Sequence, residues 1–229
     1  MMLLLAGAGA LNAFAVALVL LRAAVYRVPV YRPMLLNVVL SLAPAIVLAA
    51  TFALLMLVAQ LDLPPIALRL VAVAGGLVWL LLLPNSAYLI TELNFSHRRM
   101  DDPVPLWFDI VGTLALALSG IDNTVLNVLL AQAVFFALRD DGLSGMKVDG
   151  DTWVVAAVIL LLVSFGIYLG RHIRFNSWDL VRPTRFVTIL VRHFRQRGRV
   201  TEAAGFCALH TILLGILYAM IALPLAAAL

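Results

Sequence analysis

The amino-acid sequence predicts an all-α protein: a polytopic membrane bundle of six transmembrane helices, two of them kinked, plus one amphipathic helix at the membrane interface. Hydrophobic residues make up 64% of the 229 residues and charged residues only 12%, about half the charged share of a typical soluble domain. The apolar runs are continuous rather than alternating, which favours helices over the strands of a barrel. We therefore expect a single integral membrane domain covering residues 1–229.

Six runs are long enough to cross a hydrocarbon core of about 30 Å, which takes about 20 apolar residues of helix. They cover residues 2–21, 34–59, 66–95, 105–138, 152–170 and 203–229. The first run has no positive charge before it and is followed by Arg22 and Arg27. That is the wrong polarity for a signal peptide, so we expect a retained helix.

Two of these spans carry interruptions and are expected to kink. The third contains Pro84 followed by Asn85, and a proline inside a helix leaves a carbonyl group that a neighbouring side chain must satisfy. The fourth is long and contains the polar stretch 119–123 around Gly120. If this stretch formed two spans, the eight arginines between residues 171 and 199 would lie on the opposite side of the membrane. We therefore expect one span, tilted or kinked near Gly120.

Connections rich in lysine and arginine alternate along the chain with connections that are poor in positive charge. Positive charge is concentrated after the first, third and fifth spans, whereas the other connections are poor in it or are diluted by aspartate. The connection after the fifth span carries Arg171, Arg174, Arg182, Arg185, Arg192, Arg195, Arg197 and Arg199. Since positively charged loops stay in the cytoplasm, we expect a multi-pass membrane protein with the basic connections in the cytoplasm and both termini outside.

In this topology, polar residues at the ends of spans three and five and at the start of span four lie at the cytoplasmic boundary. Asn85, Tyr88 and Glu92 are spaced i, i+3 and i+7 and therefore share one side of a helix. Asn37, in the first turn of span two, joins them. The candidate ligand-binding residues are Asn85, Tyr88, Glu92, Asp109, Arg171, Arg174, Asn176 and Asp179. We expect them to line a polar pocket that opens to the cytoplasm.

Three functions are compatible with such a pocket. In the first, the protein binds or moves a small polar solute or ion: Glu92 and Asp109 hold a cation or proton, and Arg171 and Arg174 hold an anionic group. In the second, it is a membrane-embedded enzyme that acts on a lipid-linked or phosphorylated substrate. In the third, the carboxylates and arginines pair structurally, and the protein is an accessory subunit that stabilises a larger membrane complex through the polar stripe of span four.

The motifs of common enzymes and cofactor-binding proteins are absent from the sequence. It contains no HExxH or CxxC spacing for a metal, and no GxSxG elbow, Walker loop or GxGxxG turn. We therefore predict no metal site and name no catalytic residue or cofactor. Whether the protein is an enzyme stays open.

Span four carries a stripe of polar and small residues on one side, since eighteen residues complete five helical turns. The stripe comprises Asp109, Thr113, Gly120, Asn123 and Asn127. Such residues let membrane helices approach closely and hydrogen-bond, so packing between helices is the favoured interpretation. Asp122 falls on a different side of the helix and is expected to lie deep in the membrane.

Residues 183–199 predict an amphipathic helix at the membrane interface. Its apolar face comprises Phe186, Ile189, Leu190 and Phe194. Arg185, Arg192 and Arg195 share another face and are expected to contact anionic lipid headgroups. A membrane-protein partner or a second copy of the chain remains open as a further contact. Nucleic acid is not expected, because the membrane already explains the positive charge.

Four segments of the sequence are similar to a known family. They are LLNVVLSLAPAIV (35–47), WLLLLPNSAYLITEL (79–93), VPLWFD (104–109) and GIYLGRHIRFNSWDL (166–180). The chain resembles the bacterial multi-pass membrane proteins called Domain of Unknown Function 1361. Ser86 and Ala87 stand where the family commonly has Ala-Pro, and Glu92 stands where it often has Asp, which keeps the charge. The resemblance implies a helical protein of the bacterial inner membrane and no established activity.

Overall fold

The structure, a computed structural model, describes residues 2–61, 63–94, 103–139, 150–173 and 183–227. The helices are α1 (Met2–Tyr26), α2 (Arg32–Gln60), α3 (Pro65–Leu82), α4 (Pro84–Tyr88), α5 (Leu106–Arg139), α6 (Gly150–Tyr168), α7 (Pro183–Phe194) and α8 (Arg199–Ala227). A 3-10 segment, Leu89–Asn94, follows α4, and a π-helical turn, Leu169–Ile173, follows α6. No strand occurs in these described ranges, so the all-α prediction is confirmed.

Six helical stretches are long and apolar enough to cross a membrane, as predicted. The third of them, Pro65–Leu93, combines α3, α4 and the 3-10 segment. The protein is therefore a multi-pass membrane protein whose helices lie in a lipid bilayer. Two boundaries differ from their predictions by four or five residues: α1 ends at Tyr26 rather than at Leu21, and α8 begins at Arg199 rather than at Ala203. Gly198, with φ of +84°, adopts a left-handed turn directly before it, a conformation that suits glycine.

The contacts of the chain define two compact units. Unit 1 covers Met1–Asn127 and unit 2 covers Val128–Leu229, so their boundary falls within α5. Each unit is described separately below.

The core of unit 1 consists of apolar side chains. They come from the same chain segments that carry the polar residues described below. Its core cluster consists of Ala15, Leu18, Val19, Met34, Val38, Leu89, Ala115 and Leu116. These residues come from α1, α2, the 3-10 segment and α5, which brings all four chain segments together around one core. The predicted interruption of the third span is present, because α3 ends at Leu82 and α4 begins at Pro84.

Glycine allows two close helix contacts within unit 1. A Cβ atom at Gly120 would lie 2.9 Å from the Leu89 Cβ and 3.0 Å from the Ser86 carbonyl oxygen. A Cβ atom at Gly75 of α3 would overlap the side chain of Thr51 in α2. The helix α5 is continuous through Gly120. The role of this glycine is therefore close packing against the end of the third span, as small residues provide in membrane helix pairs.

Unit 2 is organised around the pair α6 and α8. The Thr211 hydroxyl of α8 donates a hydrogen bond to Ser164 Oγ of α6, at 3.1 Å. The rings of Trp153 and Tyr218 meet edge to face, with centroids 5.7 Å apart. The Tyr218 hydroxyl also donates to the side-chain oxygen of Gln132, in the α5 portion of the unit. These polar and aromatic contacts join three helices where water is excluded.

The predicted amphipathic helix is present as α7. Its predicted apolar face is partly buried, whereas Arg185 and Arg192 are exposed. The helix ends at Phe194, so Arg195 lies in the following turn and Arg199 in α8. Phe194 packs on the buried cluster formed by Tyr168, Ala203 and Cys207.

Candidate functional site

Four helix ends of unit 1 meet at one end of the unit: the C-terminal end of α1, the start of α2, the end of the third span and the start of α5. Each contributes a polar side chain near its terminus: Arg22, Asn37, Glu92 and Asp109. Two direct contacts pair them, Arg22 with Asp109 and Asn37 with Glu92.

The Arg22–Asp109 pair is the central feature of this end. Arg22 Nε donates a hydrogen bond to Asp109 Oδ1 at 2.8 Å, with side-chain exposures of 12% and 1%. Asp109 lies in the first turn of α5, where a helix dipole favours negative charge. Arg22 lies about one turn before the end of α1, so its long side chain can reach the carboxylate from inside the span. The pair is thus an ion pair almost completely removed from solvent.

A cavity of about 20 Å³ lies beside this ion pair. Its lining consists of Leu18, Val19, Arg22, Met34, Phe108, Asp109, Gly112, Thr113 and Leu116. A space of this size holds about one water molecule. The only polar side chains of the lining are the ion pair itself and Thr113, whose hydroxyl donates to the Asp109 carbonyl oxygen at 2.8 Å.

Glu92 is held by a neutral partner. The side-chain amide of Asn37 donates a hydrogen bond to Glu92 Oε1 at 2.8 Å, and Glu92 is only 7% exposed. The contact joins α2 to the 3-10 segment at the end of the third span. The amide is neutral, so this contact holds the Glu92 carboxyl group by a hydrogen bond rather than by an ion pair.

Asn85 and Tyr88, predicted to share a face with Glu92, are both half-buried. The predicted spacing assumed an α-helix throughout, but the backbone becomes a 3-10 helix at Leu89. A 3-10 helix advances about 120° per residue rather than about 100°. Glu92 is therefore rotated away from the register that it would share with Asn85 and Tyr88 in an α-helix.

The remaining predicted site residues lie outside unit 1. Arg171 is exposed in the π-helical turn of unit 2, whereas Arg174, Asn176 and Asp179 lie outside the described residues. The predicted pocket that joins these residues to Glu92 and Asp109 stays a prediction.

A network of buried amides lies further along unit 1. Asn12 of α1 and Asn123 of α5 exchange two side-chain hydrogen bonds, at 2.9 and 3.1 Å, and Asn123 also donates to Ser41 Oγ of α2 at 2.9 Å. Asn127 accepts a 3.0 Å hydrogen bond from the indole of Trp79 in α3. The polar stripe of α5 therefore cross-links three other helices, which confirms its interpretation as a packing surface.

Unit 2 gathers histidines and aromatic rings where α6, α7 and α8 meet. The Tyr168 hydroxyl and His193 Nε2 are hydrogen-bonded at 2.8 Å, and the rings of Tyr168 and His172 stack with centroids 4.4 Å apart. His172 Nδ1 lies 3.4 Å from Glu202 Oε1. These contacts fasten the amphipathic helix to the two spans beside it. This cluster could not be predicted from the sequence, since its members come from three separate helices.

The part of the chain that the structure describes contains no group of three or more His, Cys, Asp and Glu side chains able to hold a metal ion. Its chemistry is instead that of separate buried carboxylates. A carboxylate such as that of Asp109 or Glu92 can contribute to binding a proton or a small cation. The guanidinium of Arg22 can pair with Asp109 or with another anion.

Comparison with known proteins identifies the family but no characterised relative. No curated protein and no solved structure matches the chain. The family model described as "Protein of unknown function (DUF1361)" matches residues 36–218, which is most of the chain. The matched region includes Asn37, Glu92 and Asp109, whereas Arg22 lies before it. The chain belongs to this family, Protein of unknown function (DUF1361).

Proposed function

We propose that this membrane protein binds a proton or a small monovalent cation at Asp109, with Arg22 as the resident counter-charge. The observation that carries the proposal is the almost fully buried Arg22–Asp109 pair beside a cavity of about 20 Å³. Ionisable residues inside membrane helices are costly to insert and typically mark ion or proton sites. A cavity with room for about one water molecule fits a proton or a small ion better than a larger solute.

The buried charges at this end of unit 1, as distinct from the exposed Arg27 and Arg32, support a positively charged ligand. Among the described residues there, Asp109 and Glu92 are two buried carboxylates, and Arg22 is the one partly buried cation. Asn37, which holds Glu92, is neutral. An added cation reduces this excess of negative charge, whereas an added anion increases it. Binding of a proton or cation at Asp109 then weakens its attraction to Arg22, so ligand and guanidinium compete for the same carboxylate.

The distribution of arginine between the connections supports a location of this site on the cytoplasmic side of the membrane. The connections that flank the Arg22–Asp109 end are the positively charged ones, and such loops stay in the cytoplasm. We infer that the site opens towards the cytoplasm of a bacterial cell, in the inner membrane, with both termini outside. The predicted residues Asn85 and Tyr88, in the same unit, then belong to the surroundings of the site.

A cation-dependent measurement of stability tests the proposal. A ligand that binds only the folded state raises the free energy of unfolding, by about 2.7 kcal/mol at 100 times its Kd. The thermal midpoint of the purified protein is measured against pH and against lithium, sodium and potassium chloride, with choline chloride as the ionic-strength control. We expect a response in the wild type that Asp109→Asn removes. Glu202→Gln, which neutralises an exposed carboxylate in unit 2, retains the response.

A charge-reversed double variant separates ligand binding from a purely structural ion pair. In Asp109→Arg with Arg22→Asp, the opposite charges remain adjacent, so a structural role predicts a folded protein with wild-type behaviour. Our proposal predicts a folded protein whose response to cations and pH is altered, because the carboxylate has moved to α1. Wild-type responses in both this variant and Asp109→Asn would contradict the proposal.

We also propose that α7 binds the headgroups of anionic lipids through Arg185 and Arg192, with Arg195 in the adjoining turn. Arg185 and Arg192 line an open groove of about 320 Å³ together with Thr184, Thr188 and Ile189. All three arginines are exposed, and the groove combines guanidinium and hydroxyl groups, which suit phosphate oxygens. Because α7 packs against the ends of α6 and α8, it lies where lipid headgroups are expected.

A further inference from the structure

The exposed side of α7 carries cationic and hydroxyl groups in a regular order. Arg185 and Arg192 are seven residues apart, which places them on the same side of the helix and about 10 Å apart along its axis. Thr188 lies between them, three residues after one arginine and four before the other. All three side chains are exposed and line the open groove of about 320 Å³. The groove therefore presents a cation, a hydroxyl group and a second cation in line.

The polar groups of this groove are available to a ligand. The helix α7 contains no acidic residue, and in the described part of the chain neither Arg185 nor Arg192 forms an ion pair or a hydrogen bond. The Thr188 hydroxyl donates its proton to the Thr184 carbonyl oxygen at 2.8 Å, so its oxygen remains an acceptor. A matching ligand presents one anionic group to each guanidinium and a hydroxyl donor between them.

Exposed apolar side chains border the groove. Val187 and Val191 are 54% and 45% exposed, whereas the residues of the predicted apolar face of α7 are partly buried. At about 100° per residue, the two valines lie beside Thr184 and Thr188, on the side of these threonines that faces away from the arginines. A hydrocarbon chain can lie on the valines while its phosphate group occupies the groove, which favours a lipid over a soluble anion or an acidic peptide.

We propose that this groove binds a lipid whose two phosphate groups are joined by a glycerol linker. One phosphate pairs with Arg185, the other pairs with Arg192, and the linker hydroxyl donates to Thr188. The inference rests on the proposed binding of anionic headgroups by α7 and names the class of lipid. Once the first phosphate is bound, the linker holds the second one near the other guanidinium, so the two contacts reinforce each other. A lipid with a single phosphate lacks this advantage.

A comparison of two lipids at equal phosphate content tests this inference. The complete protein is placed in phosphatidylcholine bilayers that contain either cardiolipin, which has two phosphates and a linker hydroxyl, or twice as much phosphatidylglycerol, which has one phosphate. Native mass spectrometry then measures the lipid adducts that the protein retains. We expect at least about tenfold more retention of cardiolipin. Arg185→Gln and Arg192→Gln should each lose most of this preference, because one phosphate then has no partner.

Two further variants separate the groove from the total charge of the segment. Arg195→Gln removes the same charge from the turn after α7, outside the groove, and should keep the preference for cardiolipin. Thr188→Val removes the hydroxyl acceptor with little change in shape. It should lower the preference about three- to tenfold, as expected for the loss of one hydrogen bond.

The outcomes distinguish this inference from the proposed lipid binding on which it rests. Equal retention of both lipids, dependent on Arg185 and Arg192, would overturn the inference and leave the headgroup site of α7 in place. A preference that is lost in Arg195→Gln but kept in the two groove variants would place the lipid elsewhere and also overturn it. Retention of neither anionic lipid above phosphatidylcholine would refute both the inference and the headgroup site.

Discussion

Asn123 uses its side-chain amide to connect three helices of unit 1. Its oxygen accepts from Asn12, and its nitrogen donates to Asn12 and to Ser41. All three residues are at most 6% exposed. In a bilayer no water can replace these partners, so the amide network fixes how α1, α2 and α5 face one another.

A double-mutant cycle on Asn12 and Asn123 tests whether their side-chain amides interact. We expect Asn123→Ala to lower the free energy of unfolding by roughly 1–2 kcal/mol, the upper range for hydrogen bonds between membrane helices. The measurement is unfolding in increasing SDS. Asn12→Ala together with Asn123→Ala should cost less than the sum of the single changes, because both remove the same hydrogen bonds. Strictly additive losses would show that the two amides do not interact.

The buried carboxylates of unit 1 could be picked out from the sequence, whereas the partner of Asp109 could not. Asp109, Glu92 and Asn37 stand out because polar residues are rare in apolar spans. In the sequence, Arg22 is recognisable only as a marker of topology, and no pattern distinguishes Asn12. Both belong to α1, and the pairing of α1 with α5 depends on the rotation of each helix, which residue type and spacing do not determine.

At the scale of the helices, close packing at Gly120 positions the end of the third span on α5. A Cβ atom there would meet both the Leu89 Cβ and the Ser86 carbonyl oxygen. We expect Gly120→Ala to destabilise the protein by about 1–3 kcal/mol, as overpacking typically does, in the same SDS unfolding measurement. Gly112→Ala on the same helix is the matched control, since its Cβ would have no atom within 4 Å. Similar losses for both variants would contradict the packing role.

The amphipathic helix α7 gives a prediction about lipids. Each arginine near a membrane surface contributes about 1 kcal/mol of attraction to anionic lipid. We expect Arg185→Gln with Arg192→Gln to weaken the preference for anionic over zwitterionic lipid by roughly 30-fold. Native mass spectrometry of lipid adducts from mixed bilayers measures this preference. Arg69→Gln removes one positive charge from α3, outside this segment, and should have little effect. Equal losses would indicate a nonspecific charge effect.

For the whole molecule, the number of spans and most of their limits were predictable, whereas the contacts between them were not. Span prediction depends on composition and length alone, because the bilayer sets both. The six stretches found agree with the predicted ones except at two boundaries. The helix α1 continues past Arg22 to Tyr26, and α8 begins at Arg199, which forms an ion pair with Glu202 inside the first turn. Charged residues ended the predicted span there, although a helix continues through them.

The orientation of the molecule can be tested with single cysteines. The buried native Cys207 is first replaced by Ala, and cysteine is then introduced at Pro29, Leu63 or Gln196, which are exposed positions between helices. We expect a membrane-impermeant maleimide applied to intact spheroplasts to label position 63 and not positions 29 and 196. Pro29 and Gln196 lie in arginine-rich connections, which are expected in the cytoplasm. Labelling of either from outside would therefore overturn the inferred topology.

The most direct test of cation or proton binding at Asp109 is an infrared difference spectrum of the protein in membranes, recorded as the buffer changes in pH or in cation. The account predicts a carboxyl or carboxylate band in the wild type that disappears in Asp109→Asn and remains in Glu202→Gln. A spectrum that is identical in the wild type and in Asp109→Asn would contradict the account.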